Sequence, residues 1–458
     1  MAPRTQIDTL VILGAAGDLT SRLLLPGLAT LLASSRGRTV RLIGSAREPL
    51  TEKQWKQVVR KSFAKTGVRG EHVEQTLANT TYIQADVTTT EGLQTLLDAS
   101  KGTPAFFFAL PPAVTSLACA QLANMQVPKS LTLVLEKPFG TDSRSAAELN
   151  RILVKIVPEE QIHRVDHFLG RADVLNIFGV RFSNLVIEQL LSNQNVEKID
   201  IIYDEDLALE GRAGYYDHAG ALRDMIQSHL LQIMALLMME PPASLKEFDV
   251  RNGKAMVLDA TRIWKNDPVG SSKRARYTAG KIGRRTIPAY TREPGVDPSR
   301  ETETLAQMTV EVANWRWAGV PVTLRSGKAM GKPRKEAVIT FKPVPHLPAE
   351  FTTPATPDVL RIGFKPAGMS LDIDVNGPGD KFTLEKASLV ADFGSGQLEA
   401  YGEVLAGVLE GDAMLAVRGD TAVRCWLIVE PVLRAWAAGK VSLQTYPAGS
   451  EGPRSWLS

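Results

Sequence analysis

Four short apolar runs punctuate the first third of the chain and set what it can fold into: Leu10-Val11-Ile12-Leu13, Val40 to Gly44, Ala105 to Leu110 and Leu131 to Leu135. Segments of helical character separate them. Thr20 to Ser35 carries Leu23, Leu24, Leu28 and Leu31 on one stripe, Glu52 to Lys65 reads as a polar outer helix, and Thr90 to Ala99 reads as another helix. Thr81 to Asp86 reads as one further strand. Short buried strands alternating with helices build a mostly parallel sheet covered on both faces, which places this region in the α/β class.

The ends of these strands carry the polar and glycine residues. The first run leads into Gly14-Ala15-Ala16-Gly17-Asp18-Leu19. An apolar strand, a glycine turn and a helix open a Rossmann-type unit, whose glycines let a pyrophosphate approach the backbone at the helix N-terminus. The Gly-x-x-Gly spacing falls short of the three-glycine fingerprint, and the same residues also make a plain turn. The second strand ends at Gly44-Ser45-Ala46-Arg47-Glu48. An arginine at this place pairs with a 2′-phosphate and favours NADP over NAD, although Glu48 beside it would repel that phosphate unless it points away. Arg47 equally fits a solvated loop cation. Pro111-Pro112 stops the Ala105 to Leu110 strand at its carboxyl end, where open α/β sheets bind ligands. After Leu135 comes Glu136-Lys137-Pro138-Phe139-Gly140, which sets a lysine at the mouth of the sheet beside a candidate cis proline. A plain strand-ending turn would look the same.

The octet Arg164-Val165-Asp166-His167-Phe168-Leu169-Gly170-Arg171 concentrates an acid, an imidazole and two guanidiniums. It follows a strand-like run and reads as the opening of a helix, with Asp166 as its cap. His167 and Arg171, four apart, then share one helical face and form a phosphate seat. Ser145 to Val157, just before it, reads as an amphipathic helix linking two domains.

Val180 to Leu185 and Val196 to Tyr203 read as strands around a short helical run from Leu185 to Leu191. Ala221 to Gln232 is a strongly periodic helix, and Arg212, Asp217, Arg223 and Asp224 crowd its approach. His229 sits mid-helix among Leu, Ile and Met, the usual setting of a core histidine unless an acid partner is supplied. From about Asp259 onward short alternating strands dominate: Ala306 to Val312, Val320 to Arg325, Glu336 to Phe341, Leu360 to Phe364, Met369 to Val375 and Cys425 to Val429. They predict a large, mainly antiparallel sheet. Ser271 to Thr302, rich in Arg, Gly and Pro, reads as a long surface loop. Lys328, with Lys332, Arg334 and Lys335 beyond it, forms a basic loop that is either a solvated face or one jaw of a phosphate clamp.

Composition sets the outer limits. A chain of 458 residues with 44% hydrophobic and 22% charged residues is an ordinary globular protein of two or three domains. The net charge, 53 − 50 = +3, argues for neither nucleic acid nor a membrane as partner. Cys119 and Cys425 are far apart in sequence and lack metal spacing, which fits a reducing cytoplasm. Met1 to Thr9 lacks the pattern of a secretory leader. Leu230 to Met239 is too short to span a bilayer.

Taken in order, these motifs resemble those of the glucose-6-phosphate dehydrogenase family over essentially the whole chain. The carrying residues are Gly14 to Leu19, Ala109 to Pro112, Glu136 to Gly140, the octet and Arg181 to Asn184. Glu205-Asp206, Glu210 to Arg212, Gly214 to Asp217, Ala221 to Asp224, His229 to Gln232, Met239 to Pro242 and Arg325 to Lys328 complete the set. The resemblance implies a Rossmann-type domain, set here at 1–143, followed by an α+β domain at 144–458 with a large sheet. It implies oxidation of glucose 6-phosphate at C1 with hydride transfer to NADP, with NAD as the alternative cofactor. His229 is implied as general base, Asp166 as its partner, and Lys137 between sugar and nicotinamide. Gly14, Gly17, Asp18, Leu19, Arg47, Pro111 and Lys137 are implied to hold the cofactor. His167, Arg171 and Lys328 are implied to hold the phosphate, and Glu205 and Asp224 the sugar hydroxyls. Lys332 or Arg334 is the expected second basic ligand beyond Lys328. No metal is implied, and a homodimer or homotetramer is. The sequence departs from the family pattern at Phe168, where tyrosine is usual, at Arg171, where lysine is usual, and at Ser228, where asparagine is usual. A paralogue acting on another hexose phosphate, or a catalytically silent assembly subunit, is the competing reading.

Overall fold

Six of the predicted short strands pair in parallel. They are β1 (Thr9–Leu13), β2 (Arg41–Ala46), β3 (Thr81–Gln84), β4 (Pro104–Phe108), β5 (Thr132–Glu136) and β6 (Ile162–Val165). Across the sheet the order is β6-β5-β4-β1-β2-β3, the doubly wound arrangement with its switch point between β1 and β4. The strand Ala416–Val417 adds to β6 in antiparallel fashion. The computed structural model describes residues 6–379, 381–394, 396 and 398–456; residues 1–5, part of the stretch read for a leader, lie outside the described residues.

The chain divides into two compact units. The first is Met1–Ala172 with Pro242–Ala255 and Gly396–Arg424, and the second is Asp173–Pro241 with Met256–Ser395 and Cys425–Ser458. This division differs from a single cut at 143/144. The helix Ser143–Ile156, read as a linker, belongs to the first unit: Leu149, Leu153 and Ile156 join the core beside Leu131, Leu133 and Leu135. Asp142 caps that helix by accepting from the Ser145 amide at 2.7 Å.

In the first unit, β6 is fixed by a buried charge cluster. The Arg164 side chain is fully buried and forks onto Glu159, with Nη1 at 2.8 Å and Nη2 at 3.1 Å, while Nε donates to Asn150 at 3.0 Å. Glu159 also accepts from Arg251 at 2.7 Å and from the Gly419 amide at 3.0 Å. One carboxylate therefore joins the approach to β6, the segment Pro242–Ala255 and the return segment near 419.

The second unit is built on a sheet that mixes directions. Its strands are β7 (Val196–Asp204), β8 (Thr261–Ile263), β9 (Ser272–Thr278), β10 (Gly280–Ile282), β11 (Arg285–Ile287), β12 (Leu305–Val312), β13 (Val322–Gly327), β14 (Arg334–Phe341), β15 (Val359–Phe364), β16 (Ala367–Asn376) and β17 (Leu384–Asp392). The main path runs β17-β16-β15-β14-β7-β13-β12-β9 and ends on the strand Leu443–Pro447, with β8 pairing to β12. Most pairs are antiparallel, but β7 with β13 and β9 with the last strand are parallel. The strands β10 and β11 form a separate hairpin.

Several expected elements differ. Val180 to Leu185 is no strand: residues up to Phe182 belong to the helix Ala172–Phe182, which buries Val174, Ile177, Phe178 and Arg181 at helical spacing. Cys425 to Val429 lies in the helix Gly419–Ala437, where Ala422, Cys425, Trp426, Val429 and Val432 are buried. In both places a short stretch read as a strand is overridden by an apolar stripe of period near 3.6. Ser271 to Thr302 is not one loop, since it contains β9, β10 and β11. Arg274 is accommodated in β9 because its guanidinium lies over Trp436 and pairs with Glu301 at 3.2 Å. The helices Glu71–Asn79 and Glu247–Ala260 also went unpredicted.

Breaking a buried ion pair strands its other member, at a cost of about 3–5 kcal/mol. Glu159→Ala is therefore expected to lower the urea-unfolding free energy of the first unit by about 3 kcal/mol. The same change at the exposed Glu148, paired with Arg151, should cost less than about 1 kcal/mol. Equal losses in the two variants would contradict the buried network.

Candidate active site

The cofactor candidates stand at the carboxyl ends of parallel strands. Gly14 leaves β1 with φ 93°, and a Cβ there would sit 2.2 Å from the Ala109 carbonyl oxygen, so only glycine fits. The turn is closed by the Gly17 amide donating to Gly14 O at 2.9 Å and by Thr20 Oγ1 donating to the same oxygen at 3.1 Å. Helical backbone begins at Asp18, whose exposed side chain pairs with Arg22 at 3.4 Å, and Leu19 packs on the core. Pro111 is exposed and precedes the helix Pro112–Leu122 at the end of β4. Arg47 is exposed just past β2, with its carbonyl held by Gln84 Nε2 at 2.8 Å. The Tyr82 hydroxyl donates to the Glu48 carbonyl. A bare glycine turn at the switch point, followed by a helix start, suits a dinucleotide pyrophosphate.

Lys137 and the octet follow the ends of β5 and β6 in the same unit. The Lys137–Pro138 peptide is cis. Glu136, directly before it, has its carboxyl oxygen Oε1 buried. Burial is the largest influence and pushes this carboxyl up to about 8, and the charge of Asp166 adds to the rise. The Tyr401 hydroxyl and the Lys137 charge pull the other way.

The octet does not open a helix. Residues 166–171 form consecutive tight turns: Leu169 N donates to Asp166 O at 3.0 Å, Gly170 N to His167 O at 3.3 Å and Arg171 N to Phe168 O at 3.2 Å. The helix begins only at Ala172. Asp166 does not cap that helix; its Oδ1 accepts from the Phe168 amide at 3.0 Å. His167 and Arg171 therefore do not share a helical face. They meet through Phe168, whose ring is 5.0 Å edge-on from the His167 ring and 5.7 Å from the Arg171 guanidinium. Gly170 explains the compact turn, since a Cβ there would lie 2.7 Å from the Ala400 carbonyl oxygen.

In the second unit, Glu205 follows β7 and Lys328 follows β13. The parallel register sets Asp204 beside Gly327 and so brings them together, with Lys328 Nζ 3.0 Å from Glu205 Oε2. Neither Lys332 nor Arg334 joins this pair. Arg334 pairs with Glu336 at 2.9 Å, and it is Lys335 that reaches the other oxygen of Glu205, at 3.6 Å. Strand alternation accounts for this, because neighbouring residues on β14 face opposite sides of the sheet.

Asp224 and His229 sit on a wide helical turn, a π-helix over Leu222–Leu230. Its start is held by Glu303, which accepts from the Leu222 amide at 3.0 Å. At its end the Leu231 amide donates to the Ile226 carbonyl, five residues back. Such i→i+5 turns are wider than α-helical ones, so Asp224 and His229, five apart, are set closer in direction than regular α-helical spacing would set them. His229 is buried, and Asp224 accepts from the Tyr215 hydroxyl at 3.2 Å. The sequence periodicity carried no sign of the wider turn.

Comparison with known proteins agrees across the whole length. Residues 11–176 match the glucose-6-phosphate dehydrogenase NAD binding domain, and residues 178–457 match its C-terminal domain. The chain belongs to the glucose-6-phosphate dehydrogenase family. It is 37% identical over 464 residues to the glucose-6-phosphate 1-dehydrogenase of Gluconobacter oxydans, covering 97% of this chain and 94% of the relative. The Rhizobium meliloti protein of the same name is 35% identical with the same coverage. Among solved structures, the Mycobacterium avium glucose-6-phosphate 1-dehydrogenase superposes with a TM-score of 0.86 at 31% identity, covering 98% and 96% of the two chains. A glucose-6-phosphate dehydrogenase in complex with its substrate glucose-6-phosphate gives 0.88 at 28% identity, covering 100% and 98%.

The raised Glu136 carboxyl has a consequence for stability. The folded chain keeps a proton there between the ordinary carboxyl value of 4.5 and about 8, while the unfolded chain loses it. Stability therefore falls as pH rises through that window. Glu136→Gln removes this contribution, so its thermal midpoint should decline less than that of the parent between the two ends of the window. Parallel decline of the two midpoints would show that the carboxyl is not raised.

Proposed function

We propose that the chain oxidises glucose 6-phosphate at C1 to the phosphoglucono-lactone, with NADP as hydride acceptor, at the entry to the pentose phosphate pathway. Family membership over both domains carries this reading. The glycine turn beside Ala109 and the exposed Arg47 suit a dinucleotide with a 2′-phosphate, and the nicotinamide supplies the hydride acceptor when bound.

The proposed residue roles carry over from the family resemblance, and the chemistry is consistent with them. His229 takes the proton of the C1 hydroxyl as the C1–H bond breaks, and Asp166 steadies the imidazolium that forms. Lys137 orients the sugar against the cofactor. His167 and Arg171 hold the phosphate, with Arg171 offering a planar fork where the family usually has a lysine. Lys328 serves the same phosphate, and Lys335 takes the supporting place read earlier for Lys332 or Arg334. Glu205 and Asp224 accept from sugar hydroxyls. Glu205 also pairs with both lysines, one on each carboxylate oxygen.

We further propose self-association through the large sheet, as a homodimer or a higher assembly. Edge strand β17 leaves Leu389 and Val390 exposed at 58% and 70%. No described helix is long and apolar enough to cross a membrane. A cytoplasmic location accords with two buried free cysteines, Cys119 and Cys425.

Two variants test the assignment. His229→Asn should lower kcat by roughly a hundredfold or more while substrate binding persists; near-normal turnover would remove His229 as the base. Arg47→Ala should raise KM for NADP far more than KM for NAD, and equal effects would show that Arg47 does not read the 2′-phosphate.

A further inference from the structure

The helix Ala400–Glu410 returns to the first unit from far along the chain and packs on the helix Leu25–Ala33. The fit leaves no space for a larger residue: a Cβ on Gly27 would lie 2.9 Å from both the Gly402 amide nitrogen and Tyr401 Cβ. At the same helix start the Ala400 carbonyl presses on Gly170. The backbone of Tyr401 is thus clamped between the first helix and the turn that carries His167.

Its side chain makes two specific contacts. The ring stacks on the imidazole of His167 with centroids 5.5 Å apart and planes 11° from parallel, while Phe168 meets that imidazole edge-on from its own position in the turn. The hydroxyl donates to the carboxyl of Glu136, the residue before Lys137. One side chain therefore spans the ends of β5 and β6, the two strand ends that carry Lys137 and His167. A purely space-filling residue in this apolar core would need neither the parallel stack nor the hydroxyl.

We propose that Tyr401 is a positioning residue for the phosphate end of the substrate, presenting the imidazole of His167 by stacking and tying that stack to Glu136. This rests on the reading of His167 as a phosphate ligand. An imidazole on a tight turn rotates about two side-chain bonds, and a flat partner restricts it before substrate arrives. The bond to Glu136 fixes the partner in turn, which distinguishes tyrosine from phenylalanine at this place.

The test is steady-state kinetics of the full chain with saturating NADP, using glucose 6-phosphate and unphosphorylated glucose as substrates. Loss of a stack is worth about 0.5–1.5 kcal/mol, so Tyr401→Leu should raise KM for glucose 6-phosphate up to about tenfold with a smaller change in kcat. Selectivity for the phosphorylated sugar over glucose should narrow accordingly. Tyr401→Phe keeps the ring, should remain folded and should raise the same KM by about threefold through loss of one hydrogen bond. In a His167→Ala background neither change should raise KM further, because the group being positioned is gone. If His167→Ala raises KM while Tyr401→Phe and Tyr401→Leu leave it within about twofold, the positioning role is overturned and the His167 reading stands. Full additivity of the Tyr401 and His167 effects overturns it as well. If His167→Ala itself leaves KM unchanged, the reading beneath the proposal fails. Should Tyr401→Leu fail to fold, Tyr401→Phe in the two backgrounds decides alone.

Discussion

The ion pair between buried Arg164 and Glu159 anchors β6 one residue before its end, and the turn that carries Asp166, His167 and Arg171 follows from there. A guanidinium removed from water is costly unless every donor is used. Here the fork is taken by Glu159, and Nε by Asn150. The same carboxylate binds Arg251 and the Gly419 amide. Two segments distant in sequence are thereby fixed to one strand, so the backbone after Val165 starts from an anchored place. Asp166, His167 and Arg171 inherit that anchorage through three successive tight-turn hydrogen bonds.

Around this anchor the first unit places its functional groups by one rule. Each candidate lies just past the carboxyl end of a parallel strand: Gly14 after β1, Arg47 after β2, Pro111 after β4, Lys137 after β5 and Asp166 after β6. The switch in strand order opens the sheet between β1 and β4, where the bare Gly14 turn lies against Ala109. The second unit works differently. There a parallel pair inside a mainly antiparallel sheet sets Glu205 beside Lys328, and a widened helical turn carries Asp224 and His229. Glu303, buried at the start of that turn, supplies the acceptor its first amide needs.

Much of this was legible in the residues, for definite reasons. Leu10 to Leu13 and Leu131 to Leu135 are apolar runs that only a two-sided buried strand explains, and the strands Thr9–Leu13 and Thr132–Glu136 are found there. Alternation likewise located β12 to β16. Sequence reading misplaced Val180 to Leu185 and Cys425 to Val429, because a short apolar stretch does not separate strand from buried helix, and tertiary burial selected a helical stripe. It read the octet as a helix start because Asp166 has the chemistry of a cap; the close approach of Ala400 to Gly170, invisible in sequence, holds a tight turn instead. It named Lys332 or Arg334 as the second basic ligand; that Lys335 is the residue reaching Glu205 is not written in a basic run, which does not mark where strand alternation begins. Tyr401 belonged to no motif, and only the return of its helix to the first unit reveals its place beside His167.

The most direct test of the account is the initial rate of nicotinamide reduction by the purified full chain with glucose 6-phosphate, measured in parallel with NADP and with NAD. The account predicts rapid reduction of NADP and a clear preference for it over NAD. Absence of reduction with either cofactor, in a protein that is folded by thermal melting, would contradict it.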